Sequence, residues 1–121
     1  INAEVIVNLL KAKGINSEVA ANGEEAVKMY KEKAPYYYNA ILMDIMMPVK
    51  DGFEATKEIR ESKAADADSI PIVALTADTF AATEEKCLKA GMNGHLPKPI
   101  DTNALYTILS KEIERTDHQQ I

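Results

Sequence analysis

Two short segments, 40–43 (AILM) and 70–75 (IPIVAL), are apolar at every position. A strand that is apolar on both faces must be covered on both faces, and such strands occur in parallel sheets packed between helices. Segments with helical periodicity alternate with these strands along the chain, which is typical of α/β domains. With right-handed crossovers, this alternation predicts a doubly wound parallel sheet with helices on both faces.

The boundaries of the elements follow from apolar spacing and from capping residues. We predict strands over 17–21, 40–43, 70–75 and 94–96, and helices over 3–13, from Asn22 to before Pro35, over 52–61 and 81–90, and from Asp101 onward. Asn22 with Glu25 three residues later indicates a capped helix start. The stretch 62–69 (SKAADADS) is small and polar, which predicts a surface loop, and residues 115–121 are expected to form a frayed tail.

Size and charge narrow the class of protein. A chain of 121 residues with 46% hydrophobic residues suits a single globular domain, 1–121. The longest apolar runs are far shorter than the ~20 residues of a membrane span, and no secretory leader is visible. The single Cys87 excludes an internal disulfide and fits a reducing, cytoplasmic setting. A net charge of −5 without a basic cluster argues against direct contact with nucleic acid or membrane.

Polar residues follow three of the predicted strands, namely Asp44, Thr76 and Lys98. Parallel α/β sheets bind ligands beyond the carboxyl ends of their strands, so these side chains are expected to meet there. A carboxylate can act as the nucleophile in phosphoryl transfer, while a lysine and a hydroxyl stabilise the charged phosphoryl oxygens. Magnesium, held by one or two carboxylates and by water, normally supplies the remaining charge.

Each of these residues also has an ordinary structural interpretation. Asp44 alone could be a turn or capping residue, Thr76 a buried hydroxyl bonded to the backbone, and Lys98 a solvated surface lysine. Their coincidence at three strand ends favours the functional interpretation over the structural ones.

The segments ILMDIMMPVKDGFEATKEIR, IPIVALTAD and GHLPKPI resemble the receiver domain of two-component response regulators, in the family's element order over essentially the whole chain. The receivers of hybrid sensor histidine kinases are the most similar subgroup. The resemblance implies a flavodoxin-like (CheY-like) fold in which Asp44 is the phosphoacceptor, Thr76 the switch hydroxyl and Lys98 the phosphoryl-binding lysine. It also implies magnesium bound by Asp44 and the Met46 carbonyl, and a cis Lys98–Pro99 bond.

By this resemblance the domain takes its phosphoryl group from phosphohistidine on a histidine kinase or a histidine phosphotransfer domain. The transfer and the later dephosphorylation are partly self-catalysed, and any kinase activity belongs to another domain. Two alternatives remain: an interaction module that is never phosphorylated, and a phosphatase with an aspartyl-phosphate intermediate. Such phosphatases commonly carry a second aspartate two residues after the nucleophile, where this chain has Met46.

The sequence departs from the family at its switch and at its start. His95 stands where receivers usually have Tyr or Phe, and it is smaller, more polar and titratable near neutral pH. Residues 1–2 match the run that follows the family's acidic pair, so the first strand and that pair are expected to be absent from this sequence. The lost strand would lie between 17–21 and 40–43. We expect upstream residues or another chain to fill the slot, by strand exchange or dimerisation.

Overall fold

The computed structural model describes residues 3–47, 49–77 and 80–120. These contain five helices and three strands, in the order α1 (Ala3–Lys11), α2 (Gly23–Lys33), β1 (Ile41–Asp44), α3 (Gly52–Glu61), β2 (Ile72–Thr76), α4 (Ala81–Ala90), β3 (Gly94–Pro97) and α5 (Thr102–Gln120). Among the described residues, no helix combines the length and apolar character needed to cross a bilayer.

The strands form one parallel sheet in the order β1-β2-β3. Asp44 at the end of β1 lies opposite Leu75, and Thr76 at the end of β2 lies opposite Pro97. The carboxyl ends of all three strands therefore meet at one edge of the sheet. In the described part of the chain, β1 pairs with β2 on one side only.

The central strand β2 is buried along its whole length, and its side chains alternate between two apolar layers. Val73 and Leu75 pack in a cluster that α1 and α5 complete, whereas Ile72 and Ala74 pack in a cluster with residues of α2, α3 and α4. Helices thus cover both faces of the sheet, as the apolar strands require. The predicted doubly wound α/β fold is confirmed.

The predicted starts of α2 and α5 and the predicted end of α4 are also confirmed, whereas α1 ends at Lys11, two residues before its predicted end. Asn22 accepts a hydrogen bond from the Glu25 backbone N–H at 2.9 Å, and Asp101 accepts one from the Asn103 N–H at 2.9 Å. Gly91 ends α4 in the left-handed region, with φ +103°, where a residue without Cβ is favoured. Each cap satisfies backbone groups that the helix itself leaves unpaired.

The prediction of a strand over 17–21 is wrong. These residues form no ladder with β1 or with another strand of the described chain. A strand needs a neighbour to pair its backbone groups, and the neighbour expected between 17–21 and β1 is not among the three strands. Glu18 instead accepts hydrogen bonds from the Tyr37 and Tyr38 hydroxyls, at 3.2 and 2.6 Å, which ties this segment to the loop before β1.

Helix α5 extends through Gln120 and so includes most of the predicted tail, because this stretch contains no Gly or Pro to end the helix. One further expectation needs correction. The loop 62–69 is not wholly on the surface, since Asp66 is only 2% exposed. Its Oδ1 accepts from the Tyr30 hydroxyl at 2.5 Å, and its Oδ2 accepts from the Tyr36 N–H at 3.0 Å. Asp66 thereby fastens the loop to α2 and to the turn that follows it.

Candidate functional site

Asp44 stands at the carboxyl end of β1, and both of its carboxylate oxygens have a donor. Oδ1 accepts from the Met46 backbone N–H at 3.0 Å, and Oδ2 accepts from Lys98 Nζ at 3.0 Å. The side chains of Asp44 and Lys98 are 17% and 23% exposed, so the pair is partly shielded from solvent. A carboxylate fixed in this way has a defined orientation and remains reachable from solvent.

Thr76 ends the neighbouring strand β2 and is 1% exposed. Its carbonyl oxygen accepts from the Lys98 backbone N–H at 2.7 Å. Because Asp44 lies opposite Leu75, Thr76 is one residue further along the adjacent strand. The structure therefore brings together Asp44, Thr76 and Lys98, the three residues that the sequence predicted to meet.

Lys98 lies in the connection between β3 and α5. The Lys98–Pro99 peptide bond is cis, as the sequence resemblance predicted. The backbone of Lys98 is attached to β2 through Thr76, and its side chain extends across to β1. One residue thus links all three strand ends.

The second acid of the motif, Asp51, has a structural role. It caps α3 by accepting from the Glu54 backbone N–H at 2.9 Å. Gly52 follows, and an added Cβ there would lie 2.5 Å from the Asp44 carbonyl oxygen and 2.8 Å from the Ile45 Cα. The missing side chain lets the start of α3 pack directly against the backbone of Asp44 and Ile45.

The loop between β1 and α3 has further attachments that the sequence did not reveal. Lys50 forms an ion pair with Glu58 of α3, and the Glu58 hydrogen bond raises the pKa of Lys50. An added Cβ on Gly23, the first residue of α2, would lie 2.2 Å from the Lys50 carbonyl oxygen. Val49 adopts φ +69°, a conformation that is rare for a β-branched residue. Lys50 and Glu58 are eight positions apart, so no local pattern indicates their contact.

The site offers few oxygen ligands for a metal ion. Within residues 3–47, 49–77 and 80–120, no group of three or more His, Cys, Asp or Glu side chains is arranged to hold one. Asp44 supplies the carboxylate, and Met46, whose N–H is bonded to it, brings its own carbonyl into the same turn. Magnesium accepts one or two protein oxygens when water completes its octahedron. These residues fit the ion as a partial ligand set.

The predicted switch residue His95 lies on β3 opposite Ala74, two residues before Thr76 along the sheet. Its neighbour Leu96 packs in the layer of α1 and α5. Side chains alternate along a strand, so His95 projects toward the layer that contains α4. Two other residues of the motifs, Pro48 and Asp78, lie outside the described residues.

The arrangement suits transfer of an anionic group to Asp44. A carboxylate oxygen is the nucleophile, and the Lys98 ammonium and the Met46 N–H are positioned around it. Phosphoryl transfer needs an in-line nucleophile together with positive charge and donors for the phosphoryl oxygens. Acyl or glycosyl transfer would instead need a paired base or a second carboxylate. Asp44 has Lys98 as its ionic partner.

Comparison with known proteins agrees with this chemistry. The response regulator receiver domain family matches residues 1–110. The hybrid signal transduction histidine kinase I of Dictyostelium discoideum is 37% identical over 114 residues, which cover 93% of this chain and 7% of that kinase. Probable histidine kinase 6 of Oryza sativa subsp. japonica is 34% identical over 137 residues, which cover 100% of this chain and 14% of that kinase. The chain thus spans a small part of both relatives.

Solved structures give the same result. The receiver domain of sensor histidine kinase PA1611 from Pseudomonas aeruginosa PAO1, which holds magnesium in its active site cleft, matches with a TM-score of 0.83 and 39% identity, covering 93% of this chain and 88% of that one. A chain in the co-crystal of the Saccharomyces cerevisiae phosphotransfer protein Ypd1 with the Ssk1 receiver domain matches with a TM-score of 0.78 and 32% identity. The match covers 90% of this chain and 79% of that one. With the strand-end site and the flavodoxin-like fold, these matches establish that the chain belongs to the response regulator receiver domain family.

Proposed function

We propose that this domain accepts a phosphoryl group on Asp44 within a two-component phosphorelay. The observation that carries the proposal is the 3.0 Å contact between Lys98 Nζ and Asp44 Oδ2 at the carboxyl edge of the sheet. It supplies a nucleophile and a cation in one place, next to the buried Thr76. The proposed domain spans 1–121.

The transfer follows from these positions. A carboxylate oxygen of Asp44 forms the new bond to phosphorus while the phosphorus–nitrogen bond of the donor phosphohistidine breaks. The imidazole nitrogen keeps the electron pair and takes up a proton, and the product is a mixed carboxylic–phosphoric anhydride on Asp44. The Lys98 ammonium moves from the carboxylate to the phosphoryl oxygens, where negative charge accumulates.

Magnesium belongs to the proposal because a receiver of similar structure holds it in its active site cleft. Asp44 and the Met46 carbonyl would bind the ion here, with water completing its coordination. The ion would neutralise phosphoryl charge that Lys98 alone cannot. If no further acid joins this ligand set, magnesium binding will be weak and phosphorylation slow.

Thr76 and His95 form the proposed switch. The aspartyl phosphate adds charge and acceptor oxygens beside Thr76, whose hydroxyl can donate to them. The Thr76 carbonyl accepts a hydrogen bond from the Lys98 N–H. Thr76 also lies on the same strand as Ala74, which is opposite His95 on β3. Movement of Thr76 toward the phosphoryl group would therefore reach the α4 side of β3, where a partner could read it.

The proposed phosphodonors are a histidine kinase domain and a histidine phosphotransfer protein, in the cytoplasm. Support comes from the hybrid kinases that the chain resembles and from the co-crystal of Ypd1 with the Ssk1 receiver. Direct nucleic acid or membrane contact is not part of the proposal. The phosphatase alternative is disfavoured because Met46, not aspartate, stands two residues after the nucleophile.

The test is incubation with a small-molecule phosphodonor and magnesium, followed by intact mass spectrometry. We expect one added phosphoryl group on the unmodified protein and none on Asp44→Asn. Asp51→Asn is the matched control: it changes an acid seven positions away but keeps a side chain that caps α3. Phosphorylation of Asp44→Asn, or its loss in Asp51→Asn alone, would contradict the assignment.

A further inference from the structure

The loop that leads from Asp44 into α3 contains Val49, whose backbone conformation is strained. Val49 has φ +69° and a side chain that is 75% exposed. A β-branched residue in this region is a steric outlier, and it persists only when neighbouring contacts hold it. The exposed Val49 side chain gains little from packing, so the restraint must come from the adjacent residues.

Lys50 supplies that restraint from both its side chain and its backbone. Its ammonium pairs with Glu58, two turns into α3. Its carbonyl packs against Gly23 at the start of α2, where an added Cβ would lie 2.2 Å from the carbonyl oxygen. The residue that follows Val49 is thus attached to two helices at once. Left-handed strain in a non-glycine residue costs at least as much free energy as a partly exposed ion pair contributes, so loss of the ion pair can release the loop.

The same loop orients the acceptor. Met46 donates its N–H to Asp44 Oδ1 at 3.0 Å, and the loop closes where the Gly52 N–H donates to the Ile45 carbonyl at 3.3 Å. Release of the loop would change the direction of the Met46 N–H. The Asp44 carboxylate would then rotate more freely about its remaining bond to Lys98.

We propose that Lys50, through its ion pair with Glu58, is a positioning residue that holds the strained Val49 conformation and so aims the Met46 N–H at Asp44. This inference rests on the proposed function, because it assigns the pair a role in the reactivity of Asp44. Lys50 touches neither the phosphoryl group nor its donor and acts through the loop backbone alone.

The test uses the full-length protein and compares Lys50→Met and Glu58→Gln with Lys89→Met. Lys89 forms an exposed ion pair with Glu85 on α4, so its replacement removes the same charge at a distance from the loop. We expect Lys50→Met and Glu58→Gln to slow phosphorylation by a small-molecule donor about three- to fivefold, from the modest strength of such pairs. Lys50→Arg keeps the charge and should remain within about twofold of the unmodified rate.

Val49→Gly supplies the decisive variant, because glycine adopts φ +69° without steric strain. Alone it should leave the rate within about twofold, and added to Lys50→Met it should restore the rate. Failure of Val49→Gly to rescue Lys50→Met, or equal rates for Lys50→Met and Lys89→Met, would overturn the proposal.

A second measurement separates this inference from the proposed function. The Met46 amide resonance in the unphosphorylated protein reports the loop without any transfer. We expect it to shift in Lys50→Met, to return when Val49→Gly is added, and to stay unchanged in Lys89→Met. If the Met46 resonance does not shift in Lys50→Met, the inference is wrong. Absence of phosphorylation in the unmodified protein contradicts only the proposed function.

Discussion

Lys98 Nζ lies 3.0 Å from Asp44 Oδ2, although 54 positions separate the two residues in the sequence. The contact depends on the parallel sheet, which brings the ends of β1 and β3 to one edge with β2 between them. Both side chains are mostly shielded from solvent. An ordered cation is therefore already in place where the phosphoryl group is proposed to arrive.

Lys98→Met should slow phosphorylation of Asp44 by about tenfold or more, since a preorganised charge at the reacting group is lost. The phosphorylation rate of Lys98→Arg should lie between those of the unmodified protein and Lys98→Met, because the planar guanidinium cannot reproduce the point charge of the ammonium. The rate of mass gain with a small-molecule phosphodonor measures the effect. Lys111→Met, on the exposed side of α5, is the control. Equal rates in the Lys98 and Lys111 variants would contradict the role of Lys98.

Gly52→Ala should destabilise the fold by roughly 2–3 kcal/mol, because the new Cβ would lie 2.5 Å from the Asp44 carbonyl oxygen. Gly14→Ala provides a comparison: φ there is +76° and nothing lies within 4 Å, so only conformational strain of about 1 kcal/mol applies. Urea unfolding of both variants separates a steric clash from backbone strain. If both variants lose the same free energy of unfolding, the start of α3 must shift to accommodate the new Cβ at Gly52.

Asp66→Ala should cost about 2–4 kcal/mol of stability, since it removes the acceptor of the buried Tyr30 hydroxyl and of the partly buried Tyr36 N–H. Asp68→Ala, in the same loop but exposed, should stay within about 0.5 kcal/mol. The free energies of unfolding of the two variants, measured in urea, test this prediction. Similar values for the two variants would mean that water satisfies the Tyr30 and Tyr36 donors.

Stability should fall in alkaline solution because of Tyr30. Burial, together with the hydrogen bond to Asp66, raises the pKa of the Tyr30 hydroxyl above its usual value near 10. Above that pH the unfolded chain loses the Tyr30 proton while the folded chain keeps it. The contribution is thus fully present below pH ~10, and above it the free energy of unfolding decreases by up to about 1.4 kcal/mol per pH unit.

Urea unfolding between pH 8 and 11 measures this slope. Tyr30→Phe should be less stable at neutral pH but should show a shallower alkaline decline. An unchanged slope in Tyr30→Phe would assign the alkaline loss to other groups.

The sequence predicted the parts of this domain that depend on local pattern. Apolar strands at 40–43 and 70–75 required helices on both faces, and the caps at Asn22 and Asp101 marked helix starts that the structure confirms. The site followed from the fold, because parallel strands bring Asp44 and Lys98 to the same edge. These inferences use periodicities of two and 3.6 residues, which the sequence carries directly.

The remaining features depend on contacts between distant segments. Asp66 sits in a polar stretch that has every local property of a surface loop, and its burial is decided by Tyr30, 36 positions earlier. The attachment of Lys50 to Gly23 and Glu58 arises from the packing of two helix starts. Segment 17–21 has the composition of a strand, but a strand forms only where a neighbour pairs with it.

The bond between the Lys98 N–H and the Thr76 carbonyl has a thermodynamic consequence. It joins Lys98, the residue proposed to bind the phosphoryl group, to the strand through which the proposed switch would act. Coupling between two sites is reciprocal. If phosphorylation of Asp44 changes the affinity of a protein for the α4 side of β3 through the position of Thr76, binding of that protein must change the stability of the aspartyl phosphate by the same factor. Such a protein would thereby shift the equilibrium between the two states that it distinguishes.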